Sequence, residues 1–267
     1  MNETLADTEV EAILRDGALT LSGRLLTASN ATFVGHCSLD GVSVDCVYKP
    51  VRGEKPLWDF PDGTLAGREV ASHLISELAG WHLVPVTVLT DGPFGPGMVQ
   101  RWVDEVEDAG LVDIVAQDNL PDGWLHVLDA LDGAERPVAL VHADLPDLRS
   151  MSVMDAVINN ADRKGGHVLV DSAGGVYGCD HGVSLHVEDK LRTVLWGWAG
   201  DPLADADLAA LERLSARLSE PAVAARLLDL ISPAEVSALG RRIRRSQRTT
   251  LHPLPSRSWP AIPWPAF

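Results

Sequence analysis

The stretch "INNADRKGGHVLVDSAGGVYGCDHG", residues 158–182, places acidic, basic and imidazole side chains among six glycines. "HVLVD" and "VYGCD" have the pattern of two short strands, and "SAGG" between them supplies turn residues, so we predict a β-hairpin. A helix is expected to end just before it, near Asn159. A closed hairpin brings the start of its first strand next to the end of its second. His167 and Asp180 would then lie close together, with Asp162 in the preceding loop.

This grouping of side chains suits phosphoryl transfer. That reaction needs a carboxylate near the attacking hydroxyl and oxygen ligands that hold a divalent cation against the nucleotide phosphates. Turns also favour Asp and Gly for conformational reasons alone. The stretch by itself therefore leaves a catalytic and a purely structural interpretation open.

Two residues upstream favour the catalytic interpretation. Lys49 ends an apolar strand in "CVYKP", and Glu69 lies early in the helix predicted from "GREVASHLISELAG". A strand lysine paired with a helix glutamate holds the ATP phosphates in kinases. The alternatives are a solvated surface lysine and an acidic residue that complements the dipole of the first helical turn.

The first hundred residues have the pattern of an antiparallel β lobe. Residues 1–50 read as strands, with turn signals in "ASNA" and in "LDG" at 39–41. One helix follows, and then "LVPVTVLT" and "GMVQRWV" add two strands separated by "DGPFGPG". We therefore predict an N-terminal lobe, 1–103, of antiparallel strands with one helix.

The remainder of the chain is expected to be mainly helical. Residues 104–150 are acidic and rich in turns, with short helical pieces around Trp124–Leu131. "SMSVMDAVI" predicts the helix before the hairpin, and 203–247 predict three more helices, two of them starting at proline. The chain thus reads as an α+β, bilobal fold. The C-terminal lobe would be 104–250, followed by an extended Pro/Trp-rich arm, 251–267.

Composition narrows the classes of partner. The net charge of −16 and pI near 4.8 disfavour nucleic acid and anionic membranes as partners. Three scattered cysteines without CxxC spacing, and no signal peptide or apolar spanning run, predict a cytoplasmic protein without stable membrane association. The phosphate loop GxxxxGK[ST], GxGxxG after a strand, HExxH and GxSxG are all missing from the sequence.

The order of these segments resembles a known family. The strand ending in "VYKP", the "REVA" helix, "NNADRKGGHVLV" and then "CDHG" are similar to the phosphatidylinositol 3/4-kinase-like branch of the protein-kinase superfamily. The resemblance is strongest to an actinobacterial phosphatidylinositol-kinase-like group and more distant to the HipA-type kinases. It covers roughly residues 15–200, and implies a bilobal kinase-like fold that uses ATP and Mg²⁺ or Mn²⁺.

The resemblance implies a role for each matched residue. Asp162 corresponds to the catalytic-loop aspartate that orients or deprotonates the acceptor hydroxyl. Asp180 corresponds to the metal-binding aspartate of a DFG-like motif, written "DHG" here. Lys49 corresponds to the strand lysine that contacts phosphate, and Glu69 to its helix partner.

Two further segments would meet ATP if the resemblance holds. The "ASNAT" turn at 28–32 lies where a phosphate-covering loop belongs, but it lacks glycine. Side-chain and backbone donors would come instead from Ser29, Asn30 and Thr32. The segment "QRWV" corresponds to the hinge that meets adenine through its backbone, and its residues are Gln100, Arg101, Trp102 and Val103.

One position departs from the family pattern. The pattern is DRxxxN, with asparagine as the second metal ligand, and His167 stands at that position here. Imidazole is a softer ligand and suits Mn²⁺ better than Mg²⁺. Three outcomes stay open: a preference for Mn²⁺, a site with one metal ion, or lost activity.

The acceptor is expected to be the hydroxyl of a protein or small metabolite rather than a lipid, because the chain is acidic and has no basic amphipathic helix placed for a membrane. Lys190 and Arg192 are candidates for binding an anionic acceptor group. "RRIRRSQR" at 241–248 reads as the exposed face of a last helix. Three other functions are kept: a nucleotide-binding pseudokinase scaffold, an AMP transferase, and a metal-dependent hydrolase. The hydrolase would have no use for Lys49 and Glu69.

Overall fold

The computed structural model describes residues 5–26, 30–57, 59–60, 63–106 and 109–267. The chain forms an α+β structure with two lobes, and this confirms the predicted class. An antiparallel sheet dominates the N-terminal lobe, and helices dominate the C-terminal one.

The N-terminal lobe is built on a five-stranded antiparallel sheet. Its strands are β1 (Ala18–Arg24), β2 (Phe33–Leu39), β3 (Val42–Pro50), β4 (Thr87–Gly92) and β5 (Gly95–Arg101). The order across the sheet is β1-β2-β3-β5-β4. Because β3 lies at the centre, paired on both sides, the position of Lys49 opposite Met98 of β5 is fixed by the ladder.

A helix precedes the sheet where only strands were predicted. The interpretation of 1–50 as strands is wrong for Asp7–Asp16, which form α1. Its buried residues Val10, Ile13 and Leu14 follow helical spacing and pack against one side of the sheet. The lobe therefore carries one helix beyond the expected α2 (Leu65–Ala79), which begins at the capping Thr64.

The acidic middle of the chain forms a second antiparallel sheet. Its strands are β6 (Val112–Ala116), β7 (Trp124–Leu131) and β8 (Pro137–Ala143), in the order β6-β8-β7. The prediction of helical pieces at Trp124–Leu131 is wrong. The apolar residues of this short segment fit both the helical and the strand period. Pairing with β8 makes it a strand, and the register of the pair shifts between His126 and Leu128.

The predicted hairpin and the four helices predicted from residue 150 onward are confirmed. The helices are α3 (Pro146–Ile158), α4 (Asp205–Arg217), α5 (Pro221–Leu228) and α6 (Pro233–Thr249). The hairpin pairs β9 (Val168–Val170) with β10 (Val176–Gly178). α3 ends in Asn159, which adopts a left-handed conformation and turns the chain into the loop before the hairpin.

One hydrophobic core joins α2 to the C-terminal lobe. Ala71, Leu74 and Ile75 of α2 belong to the same buried cluster as α3 residues such as Met151 and Val157. The sheet of the N-terminal lobe has a separate core with α1. Ala66 and Val70 of α2 also pack with Met98 of β5, so the position of α2, and of Glu69 on it, is set by packing against both lobes.

The start of the C-terminal arm is anchored by a buried histidine. The ring of His252 hydrogen-bonds Ser152 Oγ through Nδ1 at 3.1 Å and accepts from Arg149 Nε at 3.4 Å. Burial, and then the positive charge of Arg149, lower the pKa of His252 to about 4. The neutral imidazole is thus the form that the folded protein favours.

We predict that this histidine contributes to loss of stability in acid. Between pH 6.5 and 4 the unfolded chain binds a proton at His252 that the folded chain does not, so the free energy of unfolding falls as pH falls through that window. Urea unfolding across this range should show a shallower pH slope for His252→Gln. The exposed His82→Gln serves as the control, and an equal flattening in both variants would contradict the assignment.

Candidate active site

The centre of the candidate site is the side chain of Lys49. Its Nζ lies 3.0 Å from Glu69 Oε1 and also contacts Asp180 Oδ1. Burial alone would lower the pKa of Lys49, but the charges of Glu69 and Asp180 outweigh it and hold that pKa above its usual range. The structure therefore joins β3, α2 and the end of the hairpin through one ammonium group.

Glu69 links this lysine to the Asp-His-Gly segment. Its second carboxylate oxygen accepts a hydrogen bond of 2.8 Å from the backbone N–H of His181, and the side chain is almost fully buried. Gly182 follows, and a Cβ there would lie 3.2 Å from Leu65 Cβ at the start of α2. The absence of a side chain thus lets the segment approach the helix that carries Glu69.

Asp180 is held in an unusual backbone conformation. Its φ of 57° lies in the left-handed region, which costs a residue other than glycine energy and is found preferentially at functional sites. Burial opposes ionisation, yet the charge of Lys49 keeps the pKa of Asp180 well below its usual range. Half of the side chain remains exposed, so the charged carboxylate faces the space between the lobes.

Asp162 lies in the loop that follows α3. Its backbone N–H donates to Asn160 Oδ1 at 3.0 Å, and its carboxylate lies 3.5 Å from Lys164 Nζ. Burial raises the pKa of Asp162 above its usual value, against the opposing charge of Lys164. The loop therefore holds a partly exposed carboxylate of increased basicity, and the negative charge of Asp180 adds to the rise in its pKa.

The neighbouring Arg163 organises the loop and was not singled out by the sequence. Its guanidinium is fully buried and lies 3.0 Å from Asp155 of α3. It also donates to the backbone carbonyls of His167 and Cys179, and to His181 Nε2 at 2.6 Å. One side chain thus fixes both ends of the hairpin against α3.

One sequence feature could have drawn attention to this buried arginine, namely its place directly after Asp162. The structure adds that Gly178 stands opposite it, where a Cβ would lie 2.9 Å from Arg163 Nη2. Asp155 gave no signal, because an aspartate in an amphipathic helix is expected on its exposed side. Only the fold shows that Asp155 is fully buried.

The predicted hinge residues lie at the end of β5 and directly after it. Gln100 is buried, and its amide donates to Thr87 Oγ1 at 2.8 Å, while the Arg101 guanidinium lies over the Tyr177 ring. The Trp102 N–H donates to the carbonyl of Asp45.

Val103 differs from its neighbours. Within the described part of the chain, its backbone N–H and C=O make no hydrogen bond, and its side chain is buried.

The turn predicted to cover phosphate is described only in part. Ser29 lies outside the described residues. Asn30 Oδ1 accepts from the N–H of Lys55 at 2.9 Å, and the buried Thr32 donates its hydroxyl to the Asn30 carbonyl. The Thr32 side chain is thus bonded within the turn and the Asn30 side chain to the loop after β3, and the contact of both with ATP stays a prediction.

The segment after the Asp-His-Gly motif does not present the cations expected there. Lys190 is buried and binds Asp59 at 3.0 Å, and Arg192 donates to the Ala161 carbonyl. Both also lie over the ring of Trp259. These contacts connect the loop before α2, the loop after α3 and the C-terminal arm, so the prediction that the two cations bind an acceptor has no support here.

His167 and Asp180 fit a single divalent cation. His167 Nε2 lies 3.6 Å from Asp180 Oδ2, within the roughly 4 Å that two ligands of one ion can span. Burial lowers the pKa of His167 to about 4, which leaves the imidazole neutral, as a metal ligand requires. Among the described residues, no cluster of three or more His, Cys, Asp or Glu could hold an ion, so further ligands would come from phosphate or water.

Solved structures share this arrangement of two lobes. A hydra Fam20 structure with sugar matches 94% of this chain and 89% of its own length, at 14% identity and a TM-score of 0.55. A Golgi casein kinase structure with Mn/ADP bound matches 98% of this chain and 80% of its own length, also at 14% identity and a TM-score of 0.55. The chain therefore has a bilobal, protein-kinase-like fold.

Sequence comparison places the chain more narrowly. It is 51% identical to Protein Rv2133c of Mycobacterium tuberculosis, over 99% of this chain and 97% of that protein. The chain belongs to the family of Protein Rv2133c. No protein-family model matches it.

We predict that the buried Asp155–Arg163 pair is a main source of stability for the loop. Asp155→Ala leaves a buried guanidinium charge uncompensated and should lower the free energy of unfolding by about 3–5 kcal/mol in urea unfolding. Glu220→Ala breaks an exposed pair with Arg217 and should cost about 1 kcal/mol or less. Similar losses in the two variants would refute the special role of the buried pair.

Proposed function

We propose that the protein is an ATP-dependent phosphotransferase of the phosphatidylinositol 3/4-kinase-like type, acting on a protein or small-metabolite hydroxyl. The observation that carries the proposal is the contact of Lys49 with both Glu69 and Asp180. Lys49, from one lobe, meets an aspartate from the other at the place where nucleotide phosphates bind in the kinase mechanism. The lobes would meet at the hinge, 100–103.

The nucleotide would lie between the lobes. In this proposal Lys49 contacts the phosphates and Glu69 keeps its ammonium group in position. The backbone N–H and C=O of Val103, which make no hydrogen bond to another described residue, are available to hydrogen-bond adenine. Kinases hold ATP in this manner, and the enzyme's contribution is chiefly positioning and charge stabilisation.

Asp162 would orient the acceptor hydroxyl and accept its proton. A carboxylate whose pKa is raised by burial is a better base at neutral pH than an ordinary surface aspartate. Lys164, 3.5 Å from that carboxylate, is placed to balance negative charge on the phosphate in transfer. Transfer of the phosphoryl group then needs no covalent intermediate on the protein.

Asp180 and His167 would hold Mg²⁺ or Mn²⁺, with the remaining ligands from phosphate and water. When bound, the ion neutralises charge on the phosphates. Asp180 contributes a fully ionised oxygen ligand, and His167 a neutral nitrogen ligand. One carboxylate and one imidazole favour Mn²⁺ over Mg²⁺.

The net charge of the protein supports a protein or small-metabolite acceptor rather than a lipid. The net charge of −16 supports neither nucleic acid nor an anionic membrane as partner. No helix in the described residues is long and apolar enough to cross a bilayer. The proposal of a cytoplasmic location depends on the cysteine pattern, and Cys37, Cys46 and Cys179 are free thiols.

Turnover of labelled ATP, with Mg²⁺ or Mn²⁺ and generic acceptors, tests the proposal. Asp162→Asn and Lys49→Met should each lower turnover by about 100-fold or more, because a positioned base and a phosphate-binding charge are lost. Asp129→Asn, at an exposed carboxylate, should leave turnover unchanged. Turnover that persists in Asp162→Asn and Asp180→Asn would refute the assignment of the site.

Intact-mass measurement after ATP treatment separates the candidate reactions. An added phosphate supports phosphoryl transfer, whereas an added AMP would show that the nucleotide binds in the reverse direction. The second candidate function is a nucleotide-binding scaffold without turnover, favoured by His167 in place of the usual asparagine. Thermal stabilisation by ATP without turnover would establish it, and neither binding nor turnover would reject both functions.

We predict that His167 sets the metal preference. His167→Asn restores an oxygen ligand, so the ratio of Mn²⁺-supported to Mg²⁺-supported turnover should fall by severalfold. Manganese binding in the presence of ADP, followed by electron paramagnetic resonance, should weaken in the same variant. The exposed His126→Asn is the control, and an unchanged ratio in His167→Asn would show that this ring does not contact the ion.

A further inference from the structure

A groove of about 470 Å³ lies between α6 and the segment that follows the Asp-His-Gly motif. Its lining includes five arginines and one acid, namely Arg241, Arg242, Arg244, Arg245, Arg248 and Asp189. We refer to it as the arginine groove. None of the residues assigned to the nucleotide site lines it, so it is a separate feature of the molecule.

The arginine groove concentrates positive charge on one side of a helix. Arg241, Arg244, Arg245 and Arg248 follow the spacing i, i+3, i+4, i+7, which places them along one stripe of α6. Like charges at these spacings destabilise a helix. In a chain with a net charge of −16, such a cluster needs a reason.

The helix dipole explains only part of the cluster. Its stabilisation of cations falls off within the last turn, and the last turn of α6 contains Arg248 alone. Asp189, paired with Arg245 at 2.6 Å, is the one acidic side chain in the lining. Among the described residues, most of the charge of 241–248 therefore has no acidic partner, and an exposed basic helix face does not account for it.

A buried guanidinium forms part of the groove. Arg242 is 3% exposed; its Nε donates to the Val157 carbonyl at 2.9 Å and its Nη1 to the His186 carbonyl at 3.1 Å. Its Nη2 is buried and has no hydrogen-bond partner among the described residues. A buried donor without a partner is costly, so the groove contains a guanidinium whose hydrogen bonds the described residues leave incomplete.

The volume of the groove suits a small ligand, and the length of its arginine stripe suits a ligand with several charges. Its volume lies in the range of small-molecule sites, about 300–1,000 Å³. Arg241 and Arg248 are seven residues apart, about 10 Å along the helix, so one phosphate cannot reach the whole stripe. A polyanion as extended as nucleic acid would meet repulsion from the acidic remainder of the surface.

We propose that the arginine groove binds a small molecule that carries two or more phosphate groups. Planar guanidinium groups bind phosphate oxygens in pairs. The ligand would also contact side chains that hold the segment after the Asp-His-Gly motif, because Arg242 donates to the His186 carbonyl and Arg245 pairs with Asp189. Binding in the groove is independent of phosphotransfer and does not require the proposed activity.

Calorimetric titration with sodium tripolyphosphate, without divalent metal, tests the groove. Arg244→Gln/Arg248→Gln should weaken binding by about tenfold or more, since two charge-assisted contacts are lost. The matched control Arg217→Gln/Arg226→Gln removes two exposed arginines elsewhere and should stay within about twofold of the native protein. Arg241→Glu gives an independent loss, and thermal unfolding checks that each variant is folded.

Further titrations distinguish the arginine groove from the nucleotide site and from a general anion-binding surface. Lys49→Met should keep tripolyphosphate binding, because the groove does not include the nucleotide site; loss there, with retention in Arg244→Gln/Arg248→Gln, overturns the proposal. Inorganic phosphate should bind at least tenfold more weakly than tripolyphosphate. Equal binding of both, no binding of tripolyphosphate, or groove-dependent binding only of polyglutamate or of phosphatidylserine vesicles would also overturn it.

Discussion

The arrangement of the candidate site depends on one buried ion pair. Arg163 and Asp155 are both fully buried, and the guanidinium also holds the carbonyls at the two ends of the hairpin. A buried charge that loses its partner is strongly destabilising, so loop, hairpin and α3 must adopt one relative position. Asp162 lies next to Arg163 in the chain, and Asp180 follows Cys179. The positions of both carboxylates therefore follow from this pair.

Buried ionic contacts of α2 also fix the N-terminal lobe relative to the C-terminal lobe. Arg68 forms a buried ion pair with Glu235 of α6 at 2.5 Å and donates to the Ser184 carbonyl, while the adjacent Glu69 reaches Lys49 and His181. Two successive side chains of α2 thus bind both the strand lysine and the segment after the Asp-His-Gly motif. Any movement of α2 would disturb the lysine and the C-terminal lobe together.

Burial assigns different protonation states to the ionisable groups of the site. Asp180 stays charged because Lys49 outweighs the cost of burial, whereas Asp162, with weaker compensation, becomes more basic. His167 and His181 are neutral because burial and neighbouring cations both disfavour their charged forms. The site therefore combines an ionised carboxylate, a more basic one and a neutral imidazole, which supports separate roles in metal binding and proton transfer.

The arginine groove shows how the same helix serves two surfaces. Arg242 points into the protein and fixes the His186 carbonyl, while Arg244 and Arg248 remain exposed on the stripe beside it. A helix whose C-terminal half carries five arginines reads from sequence as a solvated face. The packing of α6 against α3 and the 186–189 segment gives that face its concave shape.

The sequence by itself determined the local structures that depend on neighbouring residues. Turn residues and apolar spacing gave the hairpin, the helix before it and the three final helices, and the motif spacing singled out Lys49, Glu69, Asp162 and Asp180. The strand Trp124–Leu131 was missed because its apolar spacing fits both periods and its partner strand decides between them. Only the tertiary structure decided that Lys49 meets Asp180, that Asp155 is buried against Arg163, and that five arginines line a groove. These contacts join residues far apart in the chain, and burial, which sets their charge states, is a property of the whole fold.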